Sequence, residues 1–115
     1  MDKTSPWQTR FCLKTCAAGE IITAIPPAAL GVAVVYAKGA AGETIYLVLE
    51  SRASSLRDFC MKRLQTAKIP PASSLTVSFK SIPPADASPE AISAACREQV
   101  IVAGELRREL RPAMR

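Results

Sequence analysis

Two short strand-like runs joined by a glycine-containing turn constrain the fold of this chain more than any other feature. The runs cover residues 31–37 (GVAVVYA) and 43–50 (ETIYLVLE), and the connection KGAAG lies between them. Glycine adopts positive φ at little steric cost, so two glycines in so short a connection favour a β-hairpin. Both runs are almost continuously apolar, which predicts a hairpin that is central in its sheet and covered on both faces.

The residues after the hairpin predict a helix, a strand and a second helix. The serines at 54–55 can cap a helix that carries one apolar stripe. The prolines at 70–71 are expected to end this segment. Residues 74–80 (SLTVSFK) alternate between apolar and polar, which predicts a half-exposed strand near an edge of the sheet. Ser88 and Pro89 then stand where the N-cap and the first turn of a helix are expected.

This succession predicts an α+β fold, with a small mixed β-sheet of order ββαβα packed by two helices over residues 25–115. A chain of 115 residues is also of single-domain size. Residues 1–24 are expected to form an N-terminal arm or an extra hairpin, because apolar runs at 10–15 and 20–25 flank a short Ala-Ala-Gly segment.

Charge and composition narrow the classes of function. The net charge of +5 favours a polyanion such as RNA or DNA, or an acidic protein partner, although a solvated basic surface is the plain alternative. The chain has no histidine, which excludes Ser-His-Asp catalysis, Cys-His catalysis and histidine-ligated metals. The uncharged run 21–37 is short and interrupted by two prolines, so no membrane span is predicted. No motif implies a haem or a nucleotide cofactor.

The four cysteines are scattered and form no Cys-x-x-Cys pair. A four-thiolate zinc site would need tighter pairing, so reduced thiols in an intracellular, reducing compartment are expected. Three basic residues and one aspartate precede Glu20. This composition suits either the remnant of a chloroplast or mitochondrial transit peptide or a plain arm.

The order of the elements and four short segments resemble the GIY-YIG nuclease family. The segments stand where family motifs would be: Gly31-Val32-Ala33 for Gly-Ile-Tyr, Tyr46-Leu47-Val48 for Tyr-Ile-Gly, Glu98-Gln99-Val100-Ile101 for Glu-x-x-Leu-Ile, and Arg111-Pro112 for Arg-Pro. The chain is also similar to the N-terminal domain of plant chloroplast monothiol glutaredoxins, which has a similar reduced motif. The resemblance covers residues 25–115, by element order more than by motif.

The resemblance implies roles for three residues if the chain is a nuclease. Tyr46 and Arg57 would help to activate water and hold the phosphate, with Arg52 as the alternative arginine. Glu98 would bind a single Mg²⁺ ion. Outside a nuclease, the same glutamate would be an exposed helical residue or would pair with Arg97.

Two departures from the family motifs bear on whether the chain is a nuclease. The first motif tyrosine is Ala33 here, and the motif glycine is Val48. These losses favour a degenerate, non-catalytic binding or structural module without a cofactor, either a subunit of a larger assembly or an RNA-associated protein. The alternative is a divergent Mg²⁺-dependent endonuclease, and a redox role for the cysteines is a third, weaker one.

Basic residues around the helix after the hairpin are the candidates for nucleic-acid binding. They are Arg52, Arg57, Lys62 and Arg63. Such a set is typical of a groove that holds phosphates, and its alternative is a solvated helix face. Arginines in the segment 105–111 alternate with glutamates, which predicts an ordinary salt-bridged helix end.

Overall fold

The computed structural model of the chain describes residues 5–39, 42–66, 68–71 and 74–112 and has an α+β fold. The start of the predicted arm (1–4) and the end of the predicted domain (113–115) lie outside the described residues. In the described part, the helices and strands are α1 (Pro6–Arg10), β1 (Lys14–Ala17), α2 (Ile21–Ala24), β2 (Gly31–Gly39), β3 (Gly42–Glu50), α3 (Leu56–Thr66), β4 (Thr76–Ser81) and α4 (Pro89–Leu110). A 3₁₀ turn at Ala18–Glu20 leads into α2.

The four described strands form one sheet in the order β1-β4-β2-β3, and every neighbouring pair is antiparallel. The prediction of a mixed sheet was therefore wrong. Each pair of neighbouring strands here runs in opposite directions, so the described sheet contains no parallel crossover. The chain order is also longer than ββαβα, because the N-terminal extension contributes a strand of its own.

The predicted N-terminal hairpin does not form. Residues 14–17 pair with β4, in a register that sets Thr15 opposite Ser78, while the second apolar run is helical. The reason lies in burial: Ile21 and Ile25 are buried one helical turn apart, whereas Ile22 between them is 60% exposed. In a helical turn Ile21 and Ile25 share one face, whereas Ile22 lies on another. The N-terminal extension therefore contributes one strand to the sheet and one short helix to the core.

β4 is an interior strand rather than the half-exposed edge strand that its alternation predicted. β1 pairs with one side of β4 and β2 with the other. Even the polar face of β4 is covered, since Ser78 is buried and hydrogen-bonds to Tyr36 Oη at 3.1 Å. This burial depends on β1, which lies about 60 residues earlier in the chain. The alternating pattern of residues 74–80 gives no indication that β1 would pair there.

The hairpin of β2 and β3 is covered on both faces, as the sequence predicted. One face packs against α2 and α3 through residues such as Val35, Leu47 and Leu56. The opposite face packs against α1 and α4 through residues that include Val34 and Leu106. Only β2 is central, however, because β3 forms the outer edge of the described sheet.

The N-terminal helix α1 is fastened to the sheet by buried aromatic and polar contacts. Trp7 packs edge-on against Tyr36, with ring centroids 5.2 Å apart, and its indole N–H donates to Glu43 Oε1 at 3.1 Å. The buried Gln8 side chain donates to the Tyr36 hydroxyl and to Ser78 Oγ. Because buried polar groups are costly unless partnered, this network holds α1 in one position.

The long helix α4 begins at the signals that the sequence carries. Ser88 Oγ accepts a hydrogen bond from the Ala91 N–H at 3.2 Å, and Pro89 occupies the first turn. The helix continues through Gly104 to Leu110, and its C-cap residue Arg111 has a φ of 49°. In the described part of the chain, no helix combines the length and apolar character needed to cross a bilayer.

A close approach between β2 and β4 requires glycine at position 31. A Cβ atom built on Gly31 would lie 1.9 Å from the carbonyl oxygen of Lys80 in β4. The Gly31 backbone also exchanges two hydrogen bonds with Ser51, one to the side chain and one from the amide, both at 2.9 Å. No side chain can be accommodated here without moving β4 away from β2.

We expect Gly31→Ala to lower the free energy of unfolding by about 3 kcal/mol, because the new methyl group must displace backbone. The matched control is Gly104→Ala, since a Cβ at Gly104 would meet no atom within 4 Å. In a helix interior this second change should raise the free energy of unfolding by about 0.5–1 kcal/mol. Urea unfolding measures both values, and equal stability of the two variants would contradict the close approach at Gly31.

Candidate functional site

A cleft of about 480 Å³ lies along the free edge of β3, between α3 and α4. Its lining comes from the last residues of β3, from the loop that follows, from Phe59 and Arg63 of α3, and from Arg107 of α4. The Val48 carbonyl faces the outer edge of the strand and accepts from Arg107 Nη2 at 2.9 Å. Arg107 thus occupies a position where another strand would otherwise pair.

Three arginines and one glutamate set the charge of the cleft. Arg107 Nη1 donates to Glu50 Oε1 at 3.1 Å, whereas Glu50 Oε2 is buried and has no hydrogen-bond partner among the described residues. Arg52 Nε lies 4.0 Å from that oxygen, too far for a hydrogen bond. Lys62 and Arg63 also line a neighbouring cavity along α3. The cleft with its rim therefore carries more positive than negative charge.

The loop between β3 and α3 is held in position by a buried glutamine of α4. Arg52 has a φ of 56°, in the left-handed region that is unfavourable for a side chain with a Cβ. Its amide donates to Gln99 Oε1 at 2.5 Å, and its carbonyl accepts from Gln99 Nε2 at 3.0 Å. Gln99 is fully buried. These two bonds hold Arg52 at the rim of the cleft, where its side chain is 73% exposed.

Two residues that a nuclease would need, Tyr46 and Glu98, lie on opposite sides of the sheet, whereas Arg57 belongs to α3 on the Tyr46 side. Tyr46 is the extra residue of a β-bulge, because Val35 pairs with Leu47 while Tyr36 pairs with Ile45. The bulge leaves Tyr46 packed on the α3 side of the sheet. Glu98 is exposed on α4, which packs against the opposite face. The sheet thus separates the candidate catalytic tyrosine from the candidate metal ligand.

The four predicted nucleic-acid residues divide into two groups. Arg52 and Arg63 both line the cleft, and Lys62 lines the adjoining cavity. Arg57 is half-buried beside Asp58, with 3.6 Å between Arg57 Nε and Asp58 Oδ1, and it does not belong to the described lining of the cleft. Three of the four therefore lie on one continuous surface of α3 and the preceding loop.

Sequence reasoning missed three contributors to the cleft: Glu50, Gln99 and Arg107. A signal existed for Gln99, since a polar side chain interrupts the buried stripe of α4 between Ala95 and Ala103. Arg107 was assigned to a salt-bridged helix end, but it pairs with Glu50 of β3 instead. No local signal could reveal that pair, because it depends on where α4 crosses the sheet edge.

The described residues offer little for metal or thiol chemistry. Among them, no three Cys, Asp or Glu side chains are close enough to hold a metal ion. All four cysteines are free thiols. Burial raises the pKa of Cys60 to about 12, with a smaller contribution from Cys16. Burial and then the charge of Glu20 raise the pKa of Cys16 as well. Both thiols are held in the unreactive protonated form at neutral pH.

Comparison with known proteins identifies no relative of this chain: no family model, no curated protein and no solved structure matches it.

Replacing Gln99 by leucine should lower the free energy of unfolding by about 2 kcal/mol, because the Arg52 amide and carbonyl lose their partners at a strained backbone position. Urea unfolding gives the value. Glu98→Gln on the same helix is the matched control, since Glu98 is exposed and its change should stay within about 0.5 kcal/mol of zero. Similar losses in the two variants would contradict the role of Gln99 in holding the loop.

The cysteines should differ sharply in reactivity at pH 8.5. Iodoacetamide should alkylate Cys12, which is exposed, and spare Cys60, whose raised pKa keeps it protonated within the core. The folded state holds the Cys60 proton that an unfolded chain releases above pH 9, so this group's contribution to stability falls as pH rises from 9 toward 12. Mass spectrometry of the alkylated sites is the measurement, and equal rates at both thiols would contradict the burial.

Proposed function

We propose that this chain is a non-catalytic nucleic-acid-binding module, which binds RNA as a subunit of a larger assembly in a reducing compartment such as a chloroplast or mitochondrion. The observation that carries the proposal is the cleft at the edge of β3, where Arg52 and Arg63 lie together with Arg107. Guanidinium groups bind phosphates through paired N–H donors, and phosphate contacts supply most of the affinity for nucleic acids.

The exposure and pairing of the arginines support different roles for them. Arg107 is bound to Glu50 and to the Val48 carbonyl, so it shapes the cleft. Arg52 stands at the rim with its side chain largely exposed, where a phosphate can approach it. Lys62 extends the positive surface along α3. A nucleic-acid backbone that runs along α3 would bring successive phosphates close to these charges.

The placement of Tyr46 and Glu98 supports a module without nuclease activity. A metal-dependent cleavage needs the activating groups and the metal ligand around one phosphate. Here a sheet lies between the two residues. The run of strands and helices from Gly31 to Leu110 supports a likeness to the GIY-YIG fold, and the dispersed residues favour a degenerate member of it.

The exposed side of α4 supports the proposal that the module is part of an assembly. Val100 and Ile101 are 49% and 61% exposed there, next to each other on the helix. Contact sites for other proteins are built from exposed apolar surface, and these two side chains are the candidates for such a contact on α4.

The double variant Arg52→Gln with Arg63→Gln should weaken binding of a labelled single-stranded RNA by about tenfold and reduce its salt dependence, because two phosphate contacts are lost. Fluorescence anisotropy at several salt concentrations measures both effects. Arg108→Gln is the matched control, since Arg108 lines a different cavity beside Phe11. Equal weakening by the control would locate the binding elsewhere, and no binding by the wild-type protein would refute the proposal.

The same oligonucleotides, DNA as well as RNA, should remain intact when incubated with the protein and Mg²⁺ or Mn²⁺. Gel electrophoresis is the readout. If the wild-type protein cleaves an oligonucleotide and the Glu98→Gln variant does not, the proposal of a non-catalytic module is wrong and the chain is a divergent endonuclease.

A further inference from the structure

One carboxylate oxygen of Glu50 lacks a hydrogen-bond donor, and a phosphate group in the cleft could not provide one. Glu50 Oε2 is buried and accepts no hydrogen bond from the described residues, although Arg52 Nε lies at ion-pair distance, 4.0 Å away; the glutamate side chain is only 12% exposed. A buried acceptor without a donor is unfavourable, and native structures rarely leave one unmatched without a reason. Phosphodiester oxygens accept hydrogen bonds and do not donate them, so a phosphate in this cleft would leave Glu50 Oε2 unmatched.

Nucleobases carry the donors that would match this oxygen. Cytosine presents an exocyclic amino group at N4, which carboxylates accept from. In a duplex each base is stacked and its Watson–Crick edge is paired, whereas unpaired bases can turn outward and stack on aromatic or guanidinium planes. An aromatic side chain, Phe59, lines the cleft together with Arg52 and Arg63, and it is half-buried against the core on the α3 side.

We infer that the cleft takes one unpaired, amino-bearing base of a single-stranded nucleic acid, which stacks on Phe59 and donates its amino hydrogen to Glu50. This inference rests on the proposed function and deepens it by naming the form of the ligand. The adjacent phosphate binds Arg52, which is 73% exposed and lies 4.0 Å from Glu50 Oε2. This contact requires the Arg52 side chain to move toward the phosphate, so that the amino group of the base can approach Glu50 Oε2.

The cleft is built to hold Glu50 in place for such a contact. Arg107 binds the other carboxylate oxygen at 3.1 Å and the Val48 carbonyl at 2.9 Å, which orients Oε2. The Arg52 backbone is fixed by Gln99, so the arginine side chain moves from a defined point. Recognition of the base and of its phosphate would thus start from a largely preformed site.

Oligocytidine and oligouridine form the sharpest pair of probes, since the two pyrimidines differ at position 4 by an amino group in place of a carbonyl oxygen. Eight-residue labelled oligonucleotides of each, and a hairpin duplex of similar length, are titrated by anisotropy at pH 7.5. Wild-type protein should bind oligocytidine about tenfold more tightly than oligouridine, as expected for a hydrogen bond to a charged acceptor. The duplex should bind less tightly than oligocytidine.

Two variants test the contacts separately. Glu50→Gln should abolish the preference for cytidine, because the amide offers the uracil carbonyl a donor as well as the cytosine amine an acceptor. Phe59→Leu, which keeps an apolar side chain, should weaken both oligonucleotides by about tenfold and keep the preference, since stacking is tolerant of base identity. The wild-type comparison decides the matter alone if either variant fails to fold.

The outcomes separate this inference from the proposed function. Equal affinity of wild-type protein for oligocytidine and oligouridine, a cytidine preference that survives Glu50→Gln, or tighter binding of the duplex would overturn the inference and leave nucleic-acid binding intact. Absence of binding to all three probes would overturn both. A cytidine preference lost in Glu50→Gln, with the duplex bound more weakly, would establish the single-stranded site.

Discussion

The rest of the structure depends on the position of β2, which is buried on both faces and paired with a strand on both edges. Val32 to Tyr36 are all fully buried, so apolar side chains must cover the strand from two sides at once. Helices α2 and α3 cover one face, and α1 and α4 cover the other. Since β4 approaches β2 too closely for a side chain at Gly31, the two inner strands, β4 and β2, pack tightly and position both layers.

The cleft follows from the way this sheet ends. Within the described sheet, β3 has β2 on one side and no strand on the other, and α3 and α4 pack on opposite faces beside it. Arginines from both helices can therefore reach the same edge of the sheet. Exposed strand edges invite pairing with other chains, and the bonds from Arg107 to Val48 and Glu50 occupy this one. The edge becomes a charged surface instead of a template for another strand.

Gln99 connects the stability of the fold with the geometry of the cleft. It lies on the buried stripe of α4, where a purely apolar residue would also pack, yet its amide holds the backbone of Arg52. The left-handed conformation of Arg52 is sustained by those bonds, since a residue with a Cβ disfavours it in isolation. A polar residue in the core thus fixes the position of a cation at the surface.

The sequence by itself determined the hairpin, the cover on both of its faces, and the two later helices with their caps, because these depend on neighbouring residues. Ser88 caps α4 as its local pattern indicates. The sequence also marked Arg52 and Arg63 as basic residues of one segment. It could not indicate that residues 14–17 would pair with β4, because strand pairing across 60 residues leaves no local periodicity.

Only the tertiary structure decided which charges share a site. Glu50 and Arg107 are 57 residues apart and meet where α4 crosses the end of β3. Tyr46 and Glu98 are separated by the sheet, partly because a bulge that no residue pattern announces turns Tyr46 toward α3. Local propensity determines which helices and strands form. Which side chains come together depends on the faces that these elements bury, and packing over the whole chain determines those faces.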